Sequence, residues 1–412
     1  MQTLKAWAAR TATVAGLLMA ATLPVPGAAQ TVYQIPAMSD FSGPFSSIMP
    51  MMAGGRDAVA TWWNAEVGAK MGVKVELKSY DTRYDAAQTA SLWPGVLATK
   101  PLVGLSAGGP DTAALQQRLP TDKVVMISGS AANGSGWRPN QWVLTPRPTF
   151  VHEITGFIEW YQKTKVGGTR PVKLAMFTTE ASPSFADMGK GVSAYAKANP
   201  NVVNLVEMVF VDVQPTDVTL QLRRVLNAGA EVILVPTNIQ QAVAVKRAMQ
   251  ALGKNVPIVH GLQNSPGMLQ KLVGSMGAME GDYEVHGGVI TGEEQTEAKK
   301  FYDMLVAKHG MKVPWHAITS LGMTQTLLAV RAIEVAAKKH GPDKLTGETI
   351  YTTLIETTFP AKDFYGLTGG DIDFSVEAPF PTRDPRINIG QVVSGKLVTV
   401  AQAVPVPKLG KW

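Results

Sequence analysis

The sequence predicts an α/β protein in which parallel sheets, covered by helices on both faces, are divided between two lobes. Short apolar runs alternate with longer segments of helical period from Val32 onward, the pattern of doubly covered parallel sheets. A chain of 412 residues has the length of two ordinary domains. No Ser/Gly linker, low-complexity tract or repeat separates two halves, so the chain is expected to pass between lobes several times and leave each lobe discontinuous.

Residues 1–29 read as an export signal. Lys5 and Arg10 precede an apolar run over 11–23, and Ala29 ends a small-residue stretch suited to cleavage. That run is shorter than the roughly 20 apolar residues a permanent bilayer anchor needs. Strands are predicted over 32–38, 73–79, 101–105, 123–128, 172–178, 203–211, 231–236 and 256–260, with helices between them. The consecutive Val232, Ile233, Leu234 and Val235 suit a strand buried on both faces, and 240–252 returns as a helix. A later helix over 318–339 places Leu321, Leu328, Ala332 and Val335 on one face and Arg331, Glu334 and Lys338 elsewhere. Short strands are predicted again over 371–374 and 398–400. Crossings between lobes are placed near 142–149, 282–290 and 365–374.

Hydrophobic residues at 45% and charged ones at 17% describe a globular chain. The net charge of +6 includes Lys5 and Arg10 of the signal, and the remaining basic residues are scattered in pairs such as Arg223-Arg224, Lys299-Lys300 and Lys338-Lys339. These read as solvated helix faces, and no nucleic-acid partner is expected. With Cys 0 there is no disulfide, thiolate zinc site, cysteine nucleophile or lipid-bearing N-terminal cysteine. Export without lipid or disulfide points to the periplasm. The histidines His152, His260, His286, His309, His316 and His340 show no metal-ligating spacing, and neither metal nor cofactor is expected.

After the first strand comes Ser39-Asp40-Phe41-Ser42-Gly43-Pro44-Phe45, then a helix containing Gly54-Gly55-Arg56-Asp57. The next strand closes on Tyr80-Asp81-Thr82, and Asp85-Ala86-Ala87-Gln88 opens another helix. Further on stand Val103-Gly104-Leu105-Ser106-Ala107-Gly108, Met126-Ile127-Ser128-Gly129-Ser130-Ala131, and the segments 178–191 and 261–266. In this order and spacing, over nearly the whole mature chain, the sequence resembles the solute-binding proteins of branched-chain amino-acid-type ABC importers. One departure is Tyr84, which stands where their Asp-Pro-x-x-Ala helix start has proline. The resemblance implies a type I periplasmic binding fold: two Rossmann-like lobes joined by three crossovers at a hinge, closing on a ligand in the cleft. It implies lobes of 30–145 with 286–368 and of 146–285 with 369–412. It also implies a monomer that takes a small-molecule ligand, docks transiently on an ABC permease and performs no catalysis.

In an open parallel sheet, ligands collect at the carboxyl ends of strands. Ser106-Ala107-Gly108 and Ser128-Gly129-Ser130 sit at such ends, although the same residue types also serve as caps and turns. The resemblance assigns the ligand carboxylate to Ser106, Ser130 and Ala131, an aromatic contact to Phe45, a second to Phe185 and a lining position to Asn238. Its relatives place an acid in the loop after the strand at 256–260, where it meets the ligand's ammonium, yet here that loop carries Gln263 and has no Asp or Glu from Gly261 to Met279. A buried ammonium without a counter-charge is costly, so Gln263 is expected to face a neutral or hydrogen-bonding group, unless Glu180 supplies the charge. The solute is then an organic or aromatic carboxylate, an amide, or an amino-acid-like compound. Of Trp93, Trp137, Trp142 and Trp315, one or two are expected in the cleft, whereas Trp62 and Trp63 straddle a buried helix face. Two alternatives stand beside this reading: a ligand sensor of the same fold, and a serine hydrolase using Ser106 in Gly104-Leu105-Ser106-Ala107-Gly108.

Overall fold

The structure, a computed structural model, describes residues 30–132, 141–292 and 295–412. The expected export signal lies outside the described residues, as does Trp137. Strands β1 (Thr31–Ser39), β2 (Val73–Asp81), β3 (Val103–Ser106), β4 (Val125–Ser128) and β5 (Val143–Leu144) form one parallel sheet in the order β2-β1-β3-β4-β5. The second sheet contains β6 (Val172–Thr178), β7 (Val203–Phe210), β8 (Val232–Leu234), β9 (Ile258–His260) and β10 (Tyr283–His286) in the order β7-β6-β8-β9-β10, again parallel. The hairpin β11 (Arg386–Val393) and β12 (Lys396–Pro405) extends it antiparallel beyond β10. Both sheets therefore share one winding order. Each order reverses once, between β1 and β3 and between β6 and β8, which opens a crevice at the strands' carboxyl ends.

The period of two along a strand explains why these sheets are covered on both faces. In the second sheet Leu174, Met176, Val232 and Leu234 pack in one apolar cluster with the helices Phe150–Thr164 and Pro183–Ala198. Their neighbours Ala175, Phe177, Ile233 and Val235 pack on the opposite side with the helices Thr219–Asn227 and Ile239–Ala251. The first sheet builds its own core, in which Trp62, Trp63 and Trp93 are buried.

The chain passes between the sheets three times. It leaves β5 for the helix Phe150–Thr164, which packs under β10 and β6. It returns after β10, and the helix Ala317–His340 then packs on the helix Met49–Trp63 and on β3 and β4. Ile372 bridges to Phe359 and Phe374 joins the first core before the chain enters β11. The second and third passages touch, as Gly369 N donates to Gly287 O at 2.8 Å.

Several elements depart from the sequence reading. Strands β5 and β10 fall in segments read as crossings, because both are short and run directly into the passages. The segment 371–374 makes an isolated bridge instead of a strand, and 398–400 is the middle of β12, whose partner β11 the sequence reading omitted. The turn of that hairpin holds Ser394 and Gly395 at φ of 52° and 70°, the left-handed pair that two-residue hairpins require. The helix Ala317–His340 is buried all round over 317–330 instead of on one face, since its first half runs between the first sheet's helices and Leu262 of the other lobe.

Candidate ligand-binding site

The loop after β1 is shaped by carboxylates. Buried Asp40 accepts from Gly43 N and Phe45 N at 2.6 and 2.7 Å. A Cβ on Gly43 would meet Asp40 Oδ1 and Arg83 O at 2.4 Å, so no side chain fits there. Asp81, at the end of β2, accepts from Phe41 N and Ser42 Oγ. The chain then turns through Arg83 and Tyr84, both left-handed at φ of 55° and 57°. That turn brings the Tyr84 ring to 4.7 Å from Phe45. Gly108 is needed opposite, because its Cβ would lie 2.3 Å from Tyr84 Cε2. Burial pushes the Tyr84 phenol up to about 12, so it stays neutral.

The serine loops after β3 and β4 are largely self-satisfied. Asp111 caps the loop after β3 by accepting from Ala107 N and Gly108 N at 3.2 and 3.3 Å. Ser106 Oγ donates to Ser128 Oγ at 3.2 Å, and Ser128 Oγ accepts from Ser130 N at 3.1 Å. Below them lies Arg56, fully buried, donating to Gln325 Oε1, Ser39 Oγ and Ser106 O. Burial pushes its guanidinium down to about 10 against the pull of Asp111 and Asp57; it remains charged.

Two hydroxyl contacts join the lobes at the lip. Ser130 Oγ and Ser184 Oγ are 2.9 Å apart, and Tyr84 Oη is 3.3 Å from Ser182 Oγ. Behind this lip lies a narrow cavity, part of it continuous with solvent. Its walls come from both sides: Phe45, Ile48, Met49, Met52, Tyr84, Ala107 and Ser130 from the first lobe, Phe150, Ser184, Phe185, Leu262 and Gln263 from the second, with Arg147 at the first passage. An apolar cluster of Met49, Met52, Leu262, Ile318 and Leu321 floors it. The mostly apolar lining with few polar groups suits a small organic ligand.

Five residues singled out from sequence, Phe45, Ala107, Ser130, Phe185 and Gln263, surround this cavity. Ser106 and Ser128 lie beneath it and bond to each other. Ala131 is buried in the second lobe's apolar cluster. Asn238 turns away to cap a helix, accepting from Gln241 N and donating to Val213 O. Gln263 donates to Pro236 O at 2.6 Å. Glu180 is exposed and outside the lining, in which no described residue is Asp or Glu. Of the tryptophans expected in the cleft, Trp93, Trp142 and Trp315 do not line the cavity, and Trp137 lies outside the described residues. Trp93 donates to Asp122, Trp142 stacks on Tyr351 at 4.1 Å, and Trp315 packs against Tyr302. Nor does Ser106 meet a histidine, as a hydrolase would require; its hydroxyl partner is Ser128. Among the described residues no His, Asp and Glu cluster that could hold a metal is present, and no helix is long and apolar enough to cross a membrane.

The sequence pattern of the periplasmic binding protein family matches residues 32–394. The chain belongs to that family. This periplasmic binding protein is also similar in structure to a branched-chain amino acid ABC transporter protein from Thermus thermophilus with bound valine, at 19% identity and a TM-score of 0.77, covering 90% of this chain and 96% of that one. A fatty acid ABC transporter substrate-binding protein from Thermomonospora curvata aligns at 18% identity and 0.76, covering 92% and 93%. A solute-binding protein of an ABC transporter from Rhodopseudomonas palustris HaA2, in complex with p-hydroxybenzoic acid, aligns at 17% and 0.70, covering 93% and 99%. No curated protein sequence resembles the chain closely enough to count as a match. The family and these likenesses establish the type I periplasmic binding fold.

Tyr84, Ser184 and Arg147 are polar lining residues that the sequence reading did not nominate, beside apolar ones such as Met49, Met52, Phe150 and Leu262. In the sequence Tyr84 stands out only as a departure from a proline. Arg147 stands between Pro146 and Pro148, and a charge held by two prolines inside an expected crossing was the available signal.

Proposed function

We propose that this protein is the periplasmic solute-binding component of an ABC importer. It captures a small solute between its lobes and presents the closed form to a permease in the inner membrane, as a monomer and without making or breaking a bond. The observation that carries this reading is the cavity walled by both lobes behind a lip of direct interlobe hydrogen bonds. A solute touching both walls favours the closed arrangement by its differential affinity. We take the lobes as 30–145 with 286–368 and 146–285 with 369–412, rotating about the three passages.

The lining supports a solute with an apolar body and no ammonium. Phe45, Tyr84, Phe150 and Phe185 offer rings to pack on, while no carboxylate in the lining is present to neutralise a cation. An aromatic or aliphatic organic acid, or an amide, fits better than a plain α-amino acid, whose buried ammonium would lack a partner. Calorimetric titration with leucine, valine, glutamate, 4-hydroxybenzoate and octanoate tests this. Tight binding of an acid is expected, and tight leucine binding contradicts the reading.

A further inference from the structure

We propose that Arg147 is the anion anchor of the cleft and that the solute therefore carries a carboxylate, an inference that rests on the solute-binding reading above. Most of the donors expected to hold a carboxylate are already used, and Ala131 is buried in the second lobe's apolar cluster. Ala107 N and Gly108 N point to Asp111, Ser130 N points to Ser128 Oγ, and Gly129 N donates to Ser106 O at 2.9 Å. Ser130 Oγ shares its bond with Ser184 across the lip. An arriving anion would have to break these bonds and face Asp111 behind them.

Arg147 offers the opposite situation. Its residue is 5% exposed, it lines the cavity, and its guanidinium lies over the Phe150 ring at 5.0 Å. Glu153 engages only one of its nitrogens: Nη1 donates to Oε1 and Oε2 at 2.8 and 3.0 Å. The buried Nε–H has no hydrogen-bond partner among the described residues, and a buried unpaired donor on a charged group is costly. A carboxylate accepts from such a fork with charge-assisted bonds. Arg147 is thus neutralised enough to be buried, yet retains a donor for a second anion.

The position of Arg147 gives the contact a consequence. It sits on the first passage, and Glu153 Oε1 also accepts from Gly287 N at 2.8 Å on the second. Arg147, Glu153 and Gly287 tie two hinge segments together. A carboxylate on Arg147 binds at the pivot, so its charge is read where the lobes rotate.

The test pairs acids with isosteric neutral amides: 4-hydroxybenzoate with 4-hydroxybenzamide, and octanoate with octanamide, measured by thermal shift and calorimetry on the full mature chain. At least one acid is expected to bind about tenfold or more tighter than its amide. Arg147→Lys keeps a charge for Glu153 but removes the planar fork; it is expected to weaken the acid about tenfold and leave the amide unchanged. Because Arg147→Lys touches a buried pair, its fold is checked by circular dichroism, and the acid-over-amide comparison in the unmutated chain stands independently of that variant. Equal binding of acid and amide, or an unchanged acid affinity in Arg147→Lys, overturns this inference and leaves solute binding standing. Absence of binding by both members of both pairs counts against the solute reading and this inference together.

Discussion

Removing the two lip contacts tests whether direct interlobe bonds bias the protein toward closure. The variant is Tyr84→Phe combined with Ser184→Ala, which deletes one hydroxyl from each bond while keeping the Tyr84 ring against Phe45. The Ser130–Ser184 contact at 2.9 Å is of ordinary length and the Tyr84–Ser182 contact at 3.3 Å is long. Neutral hydrogen bonds contribute about 0.5–1.5 kcal/mol net, so the pair is worth about 1.5 kcal/mol, or about a tenfold change in the closed-to-open ratio. The chain has no cysteine, so single cysteines placed at exposed Lys100 and Lys254 label one lobe each without background. Energy transfer between the dyes, read without any added solute, is expected to fall in the double variant. Identical transfer in wild type and variant would refute the reasoning, because the bonds would then exist only as a by-product of closure.

Four further outcomes follow from the same geometry. Gly109→Ala places a Cβ 2.2 Å from Ser184 Oγ, so that hydroxyl must rotate off Ser130, and the same dye pair is expected to report opening comparable to Ser184→Ala alone. Gln263→Glu supplies the missing carboxylate in the lining and is expected to give calorimetrically measurable leucine binding where wild type shows none. Lys246 and Asp282 form a buried pair at 2.8 Å, and Lys246→Met, which leaves Asp282 with Ile258 N and His260 Nε2 as partners but no lysine, is expected to cost about 3 kcal/mol in urea unfolding. His152 is buried with its pKa pushed down to about 4 from 6.5 by desolvation; between these values the unfolded chain holds the proton and the folded chain does not, so its contribution, present above pH 6.5, is lost as pH falls toward 4. His152→Asn is expected to flatten the loss of unfolding free energy over that window by up to about 3 kcal/mol.

The architecture was legible because its signals are local. Val232 to Val235 announce a strand buried twice over, and the alternation of such runs with helical segments gives the parallel sheets directly. The edges were less legible: β5 has two residues and β10 four, too few for periodicity to separate them from a passage. The hairpin β11 and β12 was half seen, because Ser394-Gly395 marks a turn but the strand before it alternates Ile and Val with Asn, Gly and Gln. In the cleft, Phe45, Ser130, Phe185 and Gln263 could be nominated from their places after strands. Asn238 occupies an equivalent place, yet its side chain serves the helix that follows. That choice depends on which way one rotamer points, and spacing does not encode it. Arg147 and Tyr84 take their roles from packing across the lobes, which no single segment contains.

The central claim is that a solute bound between the lobes holds them closed. Protein unfolded in urea, dialysed free of small molecules and refolded is measured by small-angle scattering with and without the solute that stabilises it most in the thermal panel. A smaller radius of gyration on saturation is predicted. Saturating solute that leaves the scattering curve unaltered would contradict the account.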